Sequence, residues 1–259
     1  MDNGEIMDIA DLILGPVEKV PGWIWPVVLF GPLLAMLVFQ LTLGVRRRSM
    51  WQRTAVLLGY AHHDEDTRLA NTFNSLVSFL DVDGFETRSL DVLSNEADGV
   101  QTWLLDHASR KPRKLRTACV MRTHELQIPH FRLLRSRVAL RPQEEQVVFQ
   151  NDPDFARMFV LTTDNPAATK LLFDATLRQH FLRMCHRSRE IERSNTDWFS
   201  VLMLLLSNAI GRFEVEAAGD TLSVHLSRII NPRAVPDLLA LTAETLQILK
   251  GKYREMSQQ

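Results

Sequence analysis

Between Trp23 and Val45 the chain carries no ionisable side chain, and the run ends abruptly on Arg46, Arg47 and Arg48. No other feature restricts the fold so strongly. As a helix rising about 1.5 Å per residue the stretch measures roughly 34 Å, enough to cross the hydrocarbon core of a bilayer. Trp23 and Trp25 at one end and Trp51 beyond the other are amphipathic rings of the kind that settle among lipid headgroups. The three arginines read as the belt that stops transfer and snorkels toward an anionic leaflet. Pro26 falls in the first turn, where its missing N–H costs nothing, and Pro32 predicts a kink.

The flanks give the orientation. Residues 1–22 hold Asp2, Glu5, Asp8, Asp11 and Glu18 against Lys19, whereas Arg46, Arg47, Arg48 and Arg53 crowd the other end. The positive-inside rule then leaves the N-terminus outside and the bulk of the chain in the cytoplasm. A cleaved signal peptide fits less well, since its leading region would be basic and its apolar core shorter. The expected layout is an acidic extracytoplasmic tail at 1–22, a transmembrane helix at 23–45, a basic juxtamembrane helix and connector at 46–66, and a cytoplasmic domain over 67–259. Arginine outnumbers lysine 24 to 6, a bias that suits a GC-rich bacterial source and hence the inner membrane.

Residues 46–259 carry 29 basic and 26 acidic side chains, too even a balance for a general nucleic-acid binder. Cys119 and Cys185 are expected to stay reduced, and two cysteines alone make no zinc site. Periodicity predicts a helix from Asp66 with apolar residues at Leu69, Ala70, Phe73, Leu76, Val77 and Leu80. Strands are expected near 85–94, 100–108, 115–124, 145–150 and 156–163, with "EADG" at 96–99 and "RKPRK" at 110–114 as turns. A second helix opens at Asp164 or Asn165, with Pro166 in its first turn, and runs to about Arg187. The segment 196–210 is apolar nearly all round but short, and reads as a buried helix.

A hairpin turning on Gly219-Asp220 and an amphipathic helix from about Pro232 to Tyr253 complete the pattern. The fold class expected is α+β, with a mainly antiparallel sheet and several packed helices.

The stretches "AVLLGYA" at 55–61, "DVLSNEADGVQTWLLDH" at 91–107, "LQIPHFRLL" at 126–134 and "DPDFARMFVLTTDNPAATKLLF" at 152–173 are similar to a family of uncharacterised bacterial membrane-anchored proteins. The resemblance covers most of residues 52–175. It implies a short N-terminal anchor before a cytoplasmic domain, and it brings no catalytic residues with it.

No catalytic, cofactor or metal site emerges from the motifs. "HHDED" at 62–66 offers five potential ligands, but neighbouring side chains diverge, so it reads as a polar loop ending in a helix cap. "DVDG" at 81–84 lacks the later oxygens of a calcium loop. The pairs His124/His130 and His180/His186 sit six apart, on different faces of any helix. Cys185 and His186 are helical neighbours that do not face one another, and no phosphate-binding or nucleophile-elbow glycine motif occurs.

One run exceeds background. Ten basic residues lie between Arg110 and Arg141 with Glu125 as their single acid, and Arg110, Lys111, Arg113, Lys114 and Arg116 cluster at its start. They are expected to form a patch for anionic lipid or an acidic protein partner. Nucleic acid ranks last, because no aromatic residues interleave the charges. The function expected is therefore a single-pass, membrane-anchored interaction or scaffold module whose partners are the bilayer and a protein. The rival is a membrane-tethered enzyme, hydrolytic in class, built from His62, His63, Asp64, Asp83 and His107. A third reading lays 198–206 in the membrane interface.

Overall fold

The computed structural model describes residues 30–31, 34, 45, 47–63, 92–109, 114–135, 145–193, 213–226 and 230–258. The chain divides into two units, Met1–Arg48 and Ser49–Gln259. In the first, the described residues Phe30, Gly31, Leu34, Val45, Arg47 and Arg48 are all helical. Among the described residues no helix is long and apolar enough to cross a membrane, and most of the 23–45 run lies outside them. The helix expected after Asp66, the "DVDG" turn and the 196–210 segment also lie outside the described residues.

The second unit is α+β. Helix α1 spans residues 47–58 and buries Trp51 and Ala55, one turn apart on a single stripe. It closes with a Schellman motif: Gly59 takes φ +70°, its N–H bonds Val56 O at 3.3 Å, and the Tyr60 N–H reaches back to Ala55 O at 2.9 Å. Strand β1 (Ala61–His63) follows at once, where the sequence suggested only a connector.

Strands β2 (Val92–Ala97) and β3 (Val100–Ser109) are joined at Asp98-Gly99, both at positive φ, as a tight two-residue hairpin demands. Then come β4 (Lys114–Thr123), β5 (Ile128–Leu134), β6 (Glu145–Val147), β7 (Val160–Thr163), β8 (Phe213–Gly219) and β9 (Thr221–Leu226). Together they form one nine-stranded sheet in the order β1-β2-β3-β4-β9-β8-β5-β7-β6, with every pairing antiparallel.

The order carries the main topological fact. Consecutive strands β4 and β5 do not touch. The hairpin β8–β9, from eighty residues further on, is wedged between them. The short β4–β5 link crosses the tip of that hairpin, where Thr123 N–H bonds Asp220 O at 2.9 Å.

Helices α2 (Pro153–Met158), α3 (Pro166–Leu172), α4 (Ala175–Arg193) and α5 (Val235–Ser257) complete the unit, with a 3-10 turn at Pro232–Ala234. Asp152, Asn165 and Asp174 cap the first three, each accepting the backbone N–H three residues on. The Asp174 cap splits what reads in sequence as one helix. The cap at Asp152 with Pro153 likewise converts the start of the expected 156–163 strand into α2.

The helices share one face of the sheet, and the core lies between. Phe131 meets Phe173 edge-on at 4.8 Å, Phe173 stacks on Phe181 at 5.6 Å, and Phe159 lies 5.7 Å from Phe213. Leu93, Leu104, Met121, Val215, Val224 and Leu238 extend the same cluster.

Trp51 corrects the sequence reading. It is fully buried in this core and is no headgroup anchor, because α1 turns its Trp51–Ala55 stripe onto the sheet. Trp51→Ala should therefore destabilise the unit by about 3–5 kcal/mol, seen as a lower urea midpoint in pulse proteolysis of the full chain in detergent. A tryptophan at headgroup level would leave that midpoint where it is.

Candidate functional site

Strand alternation puts Arg116, Ala118, Val120 and Arg122 of β4 on the sheet face opposite the helices. Register extends this face to Thr221, Ser223 and His225 of β9, Glu214 and Glu216 of β8, Arg132 of β5 and Thr162 of β7. The face is polar at its centre and yet buried: Ser223 is 0% exposed, Glu216 and His225 are each 4%, and Arg132 is 9%. Such a surface survives only if its charges cancel locally.

They do so in pairs that join the hairpin to its flanking strands. Arg116 Nη1 lies 2.8 Å from Glu214 Oε2, and Arg122 Nε lies 2.7 Å from Asp220 Oδ2. From the other side His130 Nε2 approaches Glu216 Oε1 at 3.0 Å and Arg132 Nε approaches Glu216 Oε2 at 3.8 Å. Burial pushes the Asp220 carboxyl up, but hydrogen bonds from Arg122 and Thr221 outweigh it and hold the group below the usual carboxylate range.

The Ser223 hydroxyl and His225 Nε2 are 2.5 Å apart. Burial drives the His225 pKa down to about 3, with Arg116 and Arg132 adding to the effect, so the imidazole is neutral across the physiological range. A neutral imidazole on a serine hydroxyl is the contact that activates a nucleophile. Here both partners sit under the surface of a strand, and the hydroxyl is closed to solvent.

The residues singled out in the sequence fall as follows. Arg116 is bound to Glu214, and Lys114 opens β4 opposite Ser109. Arg110, Lys111 and Arg113 of the basic cluster, and Trp23, Trp25 and Arg46 of the anchor, lie outside the described residues. His62 and His63 are adjacent in β1 and so point to opposite faces, His63 Nε2 meeting Ser94 Oγ at 2.8 Å. Asp64 and Asp83 lie outside the described residues, and His107 stands opposite Arg116 in the β3–β4 register.

Among the described residues no three metal-ligating side chains converge. Burial raises both thiols, Cys119 to about 12, while His186 beside the buried Cys185 is exposed. Sequence reasoning passed over Glu214, Glu216 and Asp220, although the Glu-x-Glu alternation of β8 was there to mark one polar face.

On the helix side, an open cavity of about 380 Å³ lies between the β2–β3 hairpin end and α5. Tyr60, Thr102, Met121, Leu239, Ala243 and Lys250 are among its lining residues. Lys250 Nζ sits 3.4 Å from Glu125 Oε2, so this cation too is matched. Comparison with protein-family models, curated proteins and solved structures gave no match.

The neutral His225 makes a pH prediction. Its folded pKa lies below the unfolded value, so its contribution is intact above about pH 6.5 and is lost progressively as pH falls toward about 3. His180, lowered mainly by burial, acts in the same sense. Between pH 6.5 and 5 the unit should lose about 2 kcal/mol through His225 alone. Urea midpoints measured at the two pH values should diverge in wild type and draw together in His225→Gln.

Proposed function

We propose that the chain is a membrane-anchored interaction module. A single helix at 23–45 would cross a bacterial inner membrane with the N-terminus outside and the α+β unit in the cytoplasm. The observation that carries this reading is the uncharged run ended by Arg46, Arg47 and Arg48. The described apolar residues of that run support it: Phe30, Leu34 and Val45 are helical, and their side chains stay exposed, at 65%, 61% and 73%. Lipid is the solvent that would accept them.

The partner surface is narrower than the basic run of the sequence. Arg116, Arg122 and Arg132 are matched by hairpin carboxylates, so they add little net field. Arg110, Lys111 and Arg113 fall in sequence between β3 and β4, next to Lys114, which pairs in register with Ser109. That basic stretch is the contact for anionic headgroups or an acidic partner. A tethered domain needs only weak contacts of this kind, because the anchor raises their effective concentration.

The Ser223–His225 contact favours one other reading, a membrane-tethered hydrolytic enzyme. Its weakness is the burial of both side chains. A fluorophosphonate probe that labels wild type and not Ser223→Ala would establish it.

The anchor is tested on the full chain in bacterial membranes. It should resist alkaline carbonate extraction, and Asn3→Cys should react with an impermeant maleimide from the outer side of intact spheroplasts. Deletion of residues 23–45 should release the protein. Extraction of the full chain by carbonate would refute the anchor, and labelling solely after lysis would reverse the orientation.

A further inference from the structure

Helix α1 offers a second membrane contact, distinct from the anchor. Its roll is fixed by the burial of Trp51 and Ala55 and by Thr54 Oγ1, which donates to Pro232 O at 3.4 Å. The opposite side is thereby held outward, carrying Gln52, Arg53, Val56 and Leu57. Val56 and Leu57 are 82% and 84% exposed, the two most exposed large apolar side chains among the described residues. Adjacent exposed apolar residues on a helix whose other side already fills the core are costly in water unless something covers them.

Two observations identify the occupant. Arg53 stands on the same exposed side, so the face pairs a cation with two apolar tips, the composition of a helix lying in a headgroup layer. Val56 lies eleven positions after Val45, the last residue of the apolar run. By chain length alone Val56 therefore stays within about 40 Å of that end. A protein partner would match the apolar pair equally well but would not explain why it falls beside the arginine belt.

We infer that the outer face of α1, Arg53 with Val56 and Leu57, docks in the plane of an anionic bilayer surface. The inference rests on the anchor proposed above. It assigns the apolar tips to the headgroup boundary and Arg53 to lipid phosphate, and so fixes which side of the α+β unit faces the membrane.

The test uses the full chain in nanodiscs containing 30% phosphatidylglycerol, with an environment-sensitive maleimide fluorophore on Leu57→Cys. The reference position is Lys170→Cys, exposed on α3, which packs on β5 and β6 toward the sheet edge opposite β1. The native thiols are both buried, and unsubstituted protein supplies the labelling blank. The expected result is blue-shifted emission at position 57 and at least twofold stronger quenching by a headgroup nitroxide lipid than at position 170. Aqueous emission at 57 on a carbonate-resistant chain would overturn the docking of α1 and leave the anchor standing. A chain that carbonate extracts would overturn the anchor and this inference with it.

Discussion

The hairpin β8–β9 wedged between β4 and β5 is the interaction on which the rest of the unit depends. Without it the sheet is two pieces, β1–β4 and β5–β7–β6, each with an open edge of unpaired backbone groups. The hairpin closes both edges at once. It does so with side chains as well as backbone: Arg116 and Arg122 on one flank meet Glu214 and Asp220, and His130 and Arg132 on the other meet Glu216. The partners in these pairs are 98 and 86 residues apart for Arg116–Glu214 and His130–Glu216. Contacts so distant in sequence come at a high loop-closure cost and place the unit among slow-folding topologies.

Burial makes those pairs a condition of the fold more than a source of stability. A buried ion pair roughly offsets its own desolvation, whereas removing one member strands the other in a low-dielectric interior. The helix side follows the same rule. Helix α5 packs Thr242 beside Cys119, sets Thr245 Oγ1 at 2.9 Å from His180 Nε2, and joins the β4–β5 link through Lys250 and Arg254 on Glu125. Hydrogen bonds that Lys252 donates to Asp174 and Glu255 raise the pKa of its ammonium, whose Nζ lies 2.8 Å from Asp174. The basic end of α5 thus ties the last helix to the cap of α4.

How much of this was legible follows from the range of each signal. Local chemistry read well. The Asp98-Gly99 and Gly219-Asp220 turns, the Asn165 cap with Pro166 and the start of the last helix all depend on neighbours within a few residues. Strand β5 escaped, because Pro129 and two polar residues interrupt its alternation and the register slips between Ile128 and Phe131. The basic run misled for a different reason. Counted along the chain, it had Glu125 as its single acid, yet its counter-charges sit on a hairpin that only the sheet order brings near. Trp51 misled because a tryptophan next to arginines and an apolar run fits a membrane interface, while the stripe it shares with Ala55 is too short to stand out.

Mutual cancellation in the interior also bears on where function can reside. A site that binds or reacts needs a charge or hydroxyl not already engaged, or an apolar surface not already covered. On the described sheet faces the strongest polar groups are engaged with one another, and Ser223 with its neutral His225 is sealed beneath them. Among the described residues, what the fold leaves outward lies at its margins: the outer side of α1 and the cavity beside α5. The helix face is a surface that gains most from being held close to something, since it offers too little area to bind tightly from solution. The anchor proposed for residues 23–45 would supply that proximity, and it would join the apolar run of the sequence to the modest margins of the folded unit in one physical account.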